Sequence, residues 1–276
     1  MSDAASRLSV GGNVAMIGGG RMASALAGGF CRAGLLTSDA ITVYDPEPAA
    51  RAALAASLPG LRFAATPAAA AATAEIVWLA VKPQQAAAAC GGIATVMPGK
   101  TLVSILAGLS TAALESLSGT PRVIRVMPNT PCLVGRGVSV VCKTPSVPTA
   151  VVSRVTELLA AVGHVHEADE SLIDAVTGLS GSGPGFLALI VEALTVGGVR
   201  AGLPRPLALA LAVQTLEGTG ALLEQTGEEP AVIRDRVSSP GGTTLAGLAV
   251  LTERGVPEAI AAAVEAAAAR AAVLGR

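Results

Sequence analysis

The stretch Asn13-Val14-Ala15-Met16-Ile17-Gly18-Gly19-Gly20-Arg21-Met22-Ala23 decides how the fold is read. A short apolar run stops at three glycines, and helix-compatible residues follow from Arg21 to Ala33. Gly18, Gly20 and Ala23 take the small positions of the pattern G-x-G-x-x-A. In a strand-to-helix turn the first glycine permits the sharp bend and the second lets a pyrophosphate approach the backbone. The small third residue lets helix and strand pack closely. Free N–H groups at the helix start supply an anion site, so Arg21 and Met22 in its first turn join the candidate cofactor-binding residues. The pattern alone is weak, and its weight comes from the strand before it and the helix after it.

Working outward, Ile41 to Tyr44 is a second strand candidate, closed by Asp45-Pro46, and Ala49 to Ser57 is an Ala-rich helix. Leu61 to Ala64, Glu75 to Val81, Thr101 to Leu106 and Pro121 to Met127 continue the series, separated by helical or Gly-rich stretches of crossover length. Short apolar strands alternating with helices signal a parallel sheet covered on both faces. The expected class is α/β, a Rossmann-type doubly wound parallel sheet. Val138 to Cys142 and His164 to His166 add edge strands, with a helix over Thr149 to Ala161 between them.

Near Ala168 the character changes, and from Ser171 onward only helical patterns remain. This gives a dinucleotide-binding domain over 1–168 and an all-α domain over 169–276. Phe186 to Ala201 is apolar on nearly every face, with Glu192 its only charge before Arg200. A helix apolar all round is buried all round. About a hundred residues can hardly enclose such a helix, because small domains bury a smaller share of their surface. The expected partner is therefore a second copy: a homodimer through the helical domain, open to assembly into a higher oligomer. Leu207 to Leu223 and Pro257 to Leu274 are the other long helices, and Leu245 to Thr252 is a shorter one.

Composition narrows the possibilities. The 276 residues carry a formal net charge of -1, which speaks against electrostatic binding of nucleic acid. A hydrophobic fraction of 51% excludes a disordered chain. The mean hydropathy of +0.61 owes much to alanine, and no uninterrupted apolar stretch reaches the roughly 18 to 20 residues of a membrane span. Cys31, Cys90, Cys132 and Cys142 form no C-x-x-C pair and read as small core residues in a reducing compartment, with the cytoplasm as the default. His164, His166, Glu167 and Asp169 could be weighed as metal ligands, but no other histidine exists, and we expect no metal.

Further candidates lie at strand ends, where open parallel sheets bind ligands. Asp45 stands twenty-two positions past Ala23, near the spacing of a ribose-binding carboxylate. There it would accept from both ribose hydroxyls and repel a 2'-phosphate, favouring NADH over NADPH. It also reads as the start of an Asp-Pro turn. Val81-Lys82-Pro83 and Met127-Pro128-Asn129 end later strands. In the helical half, Ser180-Gly181-Ser182-Gly183-Pro184 and Ser238-Ser239-Pro240-Gly241-Gly242-Thr243-Thr244 combine glycines and hydroxyls. The second leads into a helix and suits a carboxylate or phosphate, although an ordinary capped helix start has the same spacing.

Taken together, Ile17 to Ala23, Val81-Lys82-Pro83, Arg125 to Pro131, SGSGP and SSPGGTT resemble the pyrroline-5-carboxylate reductase family, in order and at suitable separations. Gly185 stands where the family generally has Ala, and Asp45 is unusual for its NADPH-preferring members. The resemblance implies hydride transfer from NADPH or NADH to a cyclic imino acid, giving L-proline. It places Ser239, Gly242, Thr243 and Thr244 around the substrate carboxylate, with the Thr244 hydroxyl on the ring nitrogen as the catalytic candidate. Pro128 and Asn129 would border the nicotinamide, and Val81, Lys82 and Pro83 the pyrophosphate or ribose. A β-hydroxyacid-dehydrogenase-like enzyme is the runner-up, weakened by the lack of any Lys after Lys143; a non-catalytic dinucleotide sensor is the third reading.

Overall fold

The computed structural model describes residues 12–274. The strands are β1 (Val14–Ile17), β2 (Ile41–Tyr44), β3 (Arg62–Phe63), β4 (Ile76–Leu79), β5 (Thr101–Ser104), β6 (Val123–Met127), β7 (Gly137–Lys143) and β8 (Gly163–Glu167). They form one sheet in the order β3-β2-β1-β4-β5-β6-β7-β8. The order turns around β1: the chain builds outward through β2 and β3, then returns to lay β4 on the other side. β1 to β6 are all parallel, as expected, and the structure adds the direction of the two edge strands. β7 runs antiparallel to β6, and β8 lies parallel to β7. The segment from Met127 to Gly137 is too short for a crossover, which takes about a dozen residues or more, so the chain can only double back.

Between these strands come α1 (Arg21–Arg32), α2 (Pro48–Ser57), α3 (Pro67–Ala72), α4 (Ala86–Gly91), α5 (Thr111–Ser118) and α6 (Thr149–Ala160). Each strand alternates its side chains between two faces. Val14 and Met16, Ile76 and Trp78, and Ile124 and Val126 go to one core with Phe30 and Leu159. Ala15 and Ile17, Val77 and Leu79, and Val123 go to the other with Cys90 and Met97. Near-continuous apolar strands are thus explained by a sheet buried on both faces. Trp78 and Phe30 are fully buried and tilted against each other, with ring centroids 5.5 Å apart.

The four cysteines are free thiols; Cys31 is half-buried and the others are buried. Burial pushes the Cys90 thiol up to about 11, and burial aided by Glu170 does the same for Cys142.

After β8 come α7 (Ile173–Val176), a π-helical turn over Thr177–Gly181, and α8 (Gly183–Arg200). Within the SGSGP element the first two residues sit in the π-helical turn, Ser182 is the N-cap of α8, and Gly183 and Pro184 open that helix. The compact units divide at this point. One runs through Gly181 and also takes in the chain from Ala267 on; the other is Ser182–Ala266. The composition change at Ala168 falls inside the first.

The second unit holds α8, α9 (Arg205–Thr226), α10 (Pro230–Arg236), α11 (Thr243–Glu253) and most of α12 (Val256–Leu274). Of α8 only Thr195 is buried, so this chain by itself does not enclose the helix. Leu189, Leu194, Leu207, Leu211, Val250 and Leu251 are among the large apolar side chains left exposed. Residues 170–200 and 205–226 are long and apolar enough to cross a membrane by length and composition. Asp174 and Glu192 interrupt the first, and Glu217 and Glu224 the second.

Replacing Phe30 with Ala removes a fully buried ring and should cost about 3–5 kcal/mol. Chemical denaturation followed by the fluorescence of Trp78, the single tryptophan, measures it.

Candidate active site

At the carboxyl ends of β1, β2 and β4, where the strand order reverses, Ile17 is in register with Tyr44 on one side and Leu79 on the other. Doubly wound sheets bind ligands at such a switch point. Here a cavity of about 670 Å³ opens, lined by Gly18, Gly20, Asp45, Val81 and Lys82 among the expected residues. Glu47, Pro67, Gln84, Gln85, Ala88 and Ala89 also line it and were not singled out from the sequence. Of these the Gln84-Gln85 pair, directly after Lys82-Pro83, offered the clearest signal.

The glycine turn is built as its pattern implied. Gly18 has φ +102, and a Cβ on it would lie 2.5 Å from the Ala80 carbonyl oxygen. Its N–H donates to the Tyr44 carbonyl at 2.8 Å, fastening the turn to β2. Gly20 is the N-cap of α1, with no side-chain cap and no acidic residue in the first turn. A Cβ on Gly20 would meet nothing within 4 Å, so the space before the helix start is open. The first N–H groups of α1 have no intrahelical acceptors and carry the positive end of the helix dipole. An uncapped helix start with no acidic residue, beside open space, fits the pyrophosphate of a dinucleotide. Ala23 is fully buried beneath the turn, Met22 packs against the core and Arg21 is exposed.

Asp45 starts the turn that its Asp-Pro sequence suggested and also braces the glycine turn. Oδ1 accepts from the Glu47 N–H at 2.8 Å, which makes it the start of a turn. Oδ2 accepts from the Gly19 N–H at 2.7 Å, which ties the glycine turn to the end of β2. Arg51 is six residues on, yet α2 brings its Nη1 to the carbonyls of Asp45 and Pro46, at 2.7 and 3.0 Å. Lys82 is the N-cap of a short 3-10 turn over Pro83–Gln85, and its N–H donates to the Gln85 side chain at 3.3 Å. Pro83 opens that turn.

Pro128 and Asn129 are buried at the end of β6, away from the lining of this cavity. The Asn129 amide is used at both ends: Nδ2 donates to the Ser180 carbonyl at 3.2 Å, and Oδ1 accepts from the Val138 N–H at 2.9 Å. It thereby clamps the π-helical turn to β7. Arg125, two residues before Met127 and missed by sequence reading, anchors the same segment. Its side chain is 5% exposed and pairs with Glu170 at 3.3 Å and Asp174 at 3.5 Å. Glu170 in turn accepts from the N–H and hydroxyl of Thr111, both at 2.6 Å. A lone arginine in an otherwise apolar strand was the available signal.

In the second unit the Ser239 carbonyl accepts from the Gly242 N–H at 2.9 Å. Pro240 and Gly241 lie between, and Gly241 has φ +71, the arrangement of a type II turn. The Gly242 N–H is thus spent inside the turn and is not free for a substrate carboxylate, a correction to the role expected of that atom. Gly242 is the N-cap of α11, and the N–H groups of Thr243 and Thr244 follow it in the first turn, where no intrahelical acceptor exists. Thr244 is half-buried, and Ser239 and Thr243 are exposed.

His164 and His166 are exposed on β8. Among the described residues no three His, Cys, Asp or Glu side chains gather as a metal-binding group.

A family model for pyrroline-5-carboxylate reductase dimerisation matches residues 170–274, and one described as NADP oxidoreductase, coenzyme F420-dependent, matches residues 13–108. A pyrroline-5-carboxylate reductase of Synechocystis sp. is 41% identical over 261 residues, spanning 95% of this chain and 97% of that protein. The chain belongs to the pyrroline-5-carboxylate reductase family. Another family member, from Pisum sativum, is 38% identical over 92% of this chain and 93% of its own length. Among solved members, the Plasmodium falciparum enzyme with NADP bound superposes with a TM-score of 0.87 at 30% identity, covering 96% of this chain and 98% of that one. The Coxiella burnetii reductase gives the same TM-score at 29% identity, covering 96% and 99%.

Two substitutions separate backbone geometry from open space. Gly18→Ala should cost about 2–4 kcal/mol, because it forces a strained φ and a clash with Ala80. Gly20→Ala should stay within about 0.5–1 kcal/mol of the parent. Paired urea denaturation curves read both.

Proposed function

We propose that the protein reduces 1-pyrroline-5-carboxylate to L-proline with NADPH or NADH, the last step of proline biosynthesis. The observation that carries this reading is the 41% identity to the Synechocystis sp. reductase over 95% of the chain. The reduced dinucleotide, when bound, supplies a hydride to the imine carbon.

The chain's own residues do the rest. Gly18, Gly20 and the first turn of α1, with Arg21, Met22 and Ala23, hold the pyrophosphate. Asp45 takes the adenosine ribose, and Val81, Lys82 and Pro83 border the ribose and pyrophosphate from β4. Pro128 and Asn129 shape the nicotinamide end; Asn129 acts through the segment it clamps. Ser239 and the N–H groups of Thr243 and Thr244 hold the substrate carboxylate, while Gly242 contributes the shape of the turn. The Thr244 hydroxyl hydrogen-bonds the ring nitrogen and orients the imine for attack. A threonine hydroxyl is a poor acid, so solvent supplies the proton that makes the carbon electrophilic.

The functional division is 1–168 for the dinucleotide and 169–276 for dimerisation and substrate. Supporting it, the matched dimerisation region begins at residue 170. Two chains pair through the exposed apolar faces of the helical part, with further assembly open to them. Free cysteines suit a soluble enzyme of the cytoplasm. Between the dinucleotides, Asp45 favours NADH.

The decisive assay follows NADH and NADPH consumption with the cyclic imine as sole acceptor; no oxidation of either would end this reading. Thr244→Ala should lower kcat by about ten- to a thousandfold while dinucleotide affinity stays within about twofold. Asp45→Ser should raise use of NADPH relative to NADH, and an unchanged ratio would remove Asp45 from the ribose site.

A further inference from the structure

The corner between β2 and α2 turns two carboxylates into one cavity. Asp45 and Glu47 both line it, and Lys82 is the one cation among the described lining residues. The two acids differ in freedom. Asp45 is pinned, since each of its oxygens accepts a backbone N–H, from Gly19 and from Glu47 itself. Glu47 is exposed, and among the described residues its carboxylate takes part in no hydrogen bond or ion pair. Arg51, the cation closest to this corner in sequence, has Nη1 on the carbonyls of Asp45 and Pro46 and does not line the cavity.

We propose that Glu47 is a specificity-determining residue that selects against a 2'-phosphate on the adenosine ribose. The inference rests on the NAD(P)H reading above and assigns part of the selection to a residue outside the glycine motif. A 2'-hydroxyl is neutral and gains from Asp45, whose oxygens keep lone pairs beyond those used by the backbone. A 2'-phosphate carries roughly one and a half to two negative charges at neutral pH and would share the cavity with two carboxylates. Because Asp45 is held by the backbone, it cannot turn away to relieve the repulsion. Removing Asp45 also releases Gly19, so its variants disturb the glycine turn and weaken both dinucleotides. Glu47 carries no such second duty. Its side chain changes the field of the cavity and nothing that holds the fold.

The test is binding, read apart from turnover. Calorimetric titration of NAD+ and NADP+ is run on the parent, Glu47→Gln and Glu47→Lys, at low and at physiological salt, with Tm recorded for each. In Glu47→Gln, NADP+ should tighten about three- to tenfold at low salt while NAD+ stays within about twofold, and the gain should shrink as salt rises. Glu47→Lys should move further in the same direction, and 2'-AMP should follow NADP+ while 5'-AMP follows NAD+. Unchanged Tm values show that the fold is intact. If both dinucleotides bind and their affinity ratio does not move in either variant, the inference fails while the dinucleotide reading stands. If the parent binds neither, the dinucleotide reading itself has failed.

Discussion

The approach of Gly18 to the Ala80 carbonyl is the constraint on which the cofactor end of the molecule depends. β1 and β4 are in register through Ile17 and Leu79, so the chain leaving β1 must pass directly over the end of β4. Only a residue without Cβ, at positive φ, makes that passage. The turn then brings Gly20, the N-cap of α1, into the cavity lining. Asp45 closes the arrangement from β2 by accepting from Gly19. Three strand ends, one glycine turn and one carboxylate thereby meet in a single hydrogen-bonded corner.

Much of this was legible in the sequence because local rules and tertiary demands agree there. The apolar runs at Val14, Ile41, Glu75, Thr101 and Pro121 are buried on both faces, and a strand so buried has no polar alternation to obscure it. The glycine motif was legible for the same reason, since each small residue answers one steric need. The reversal at β7 was not legible as a direction, because apolar content marks a strand without orienting it. The short link from Met127 to Gly137 carried that information. The helical path through the SGSGP element was not legible from composition. Glycines and a proline usually interrupt a helix, yet here the π-helical turn is held from outside by Asn129, and by Arg125 through Glu170 and Asp174.

The second unit was legible in a different way. Its helices were found from their apolar content, but no sequence rule says which face meets which neighbour when every face is apolar. One chain leaves most of α8 exposed, so what fixes its packing is a surface that the chain alone does not supply. The type II turn before α11 shows the limit at atomic scale. Its glycines announced a tight bend, while the loss of the Gly242 N–H to Ser239 needed the geometry.

The buried thiols have a use of their own. Burial pushes the Cys90 and Cys142 thiols well above their usual range, so the folded protein holds them protonated near neutral pH. Folded molecules therefore offer almost no nucleophile there to an alkylating reagent, and opened molecules offer ordinary ones. The rate at which those positions take up label counts openings of the fold, at the packing of α4 on one sheet face through Cys90 and at the β6–β7 hairpin through Cys142.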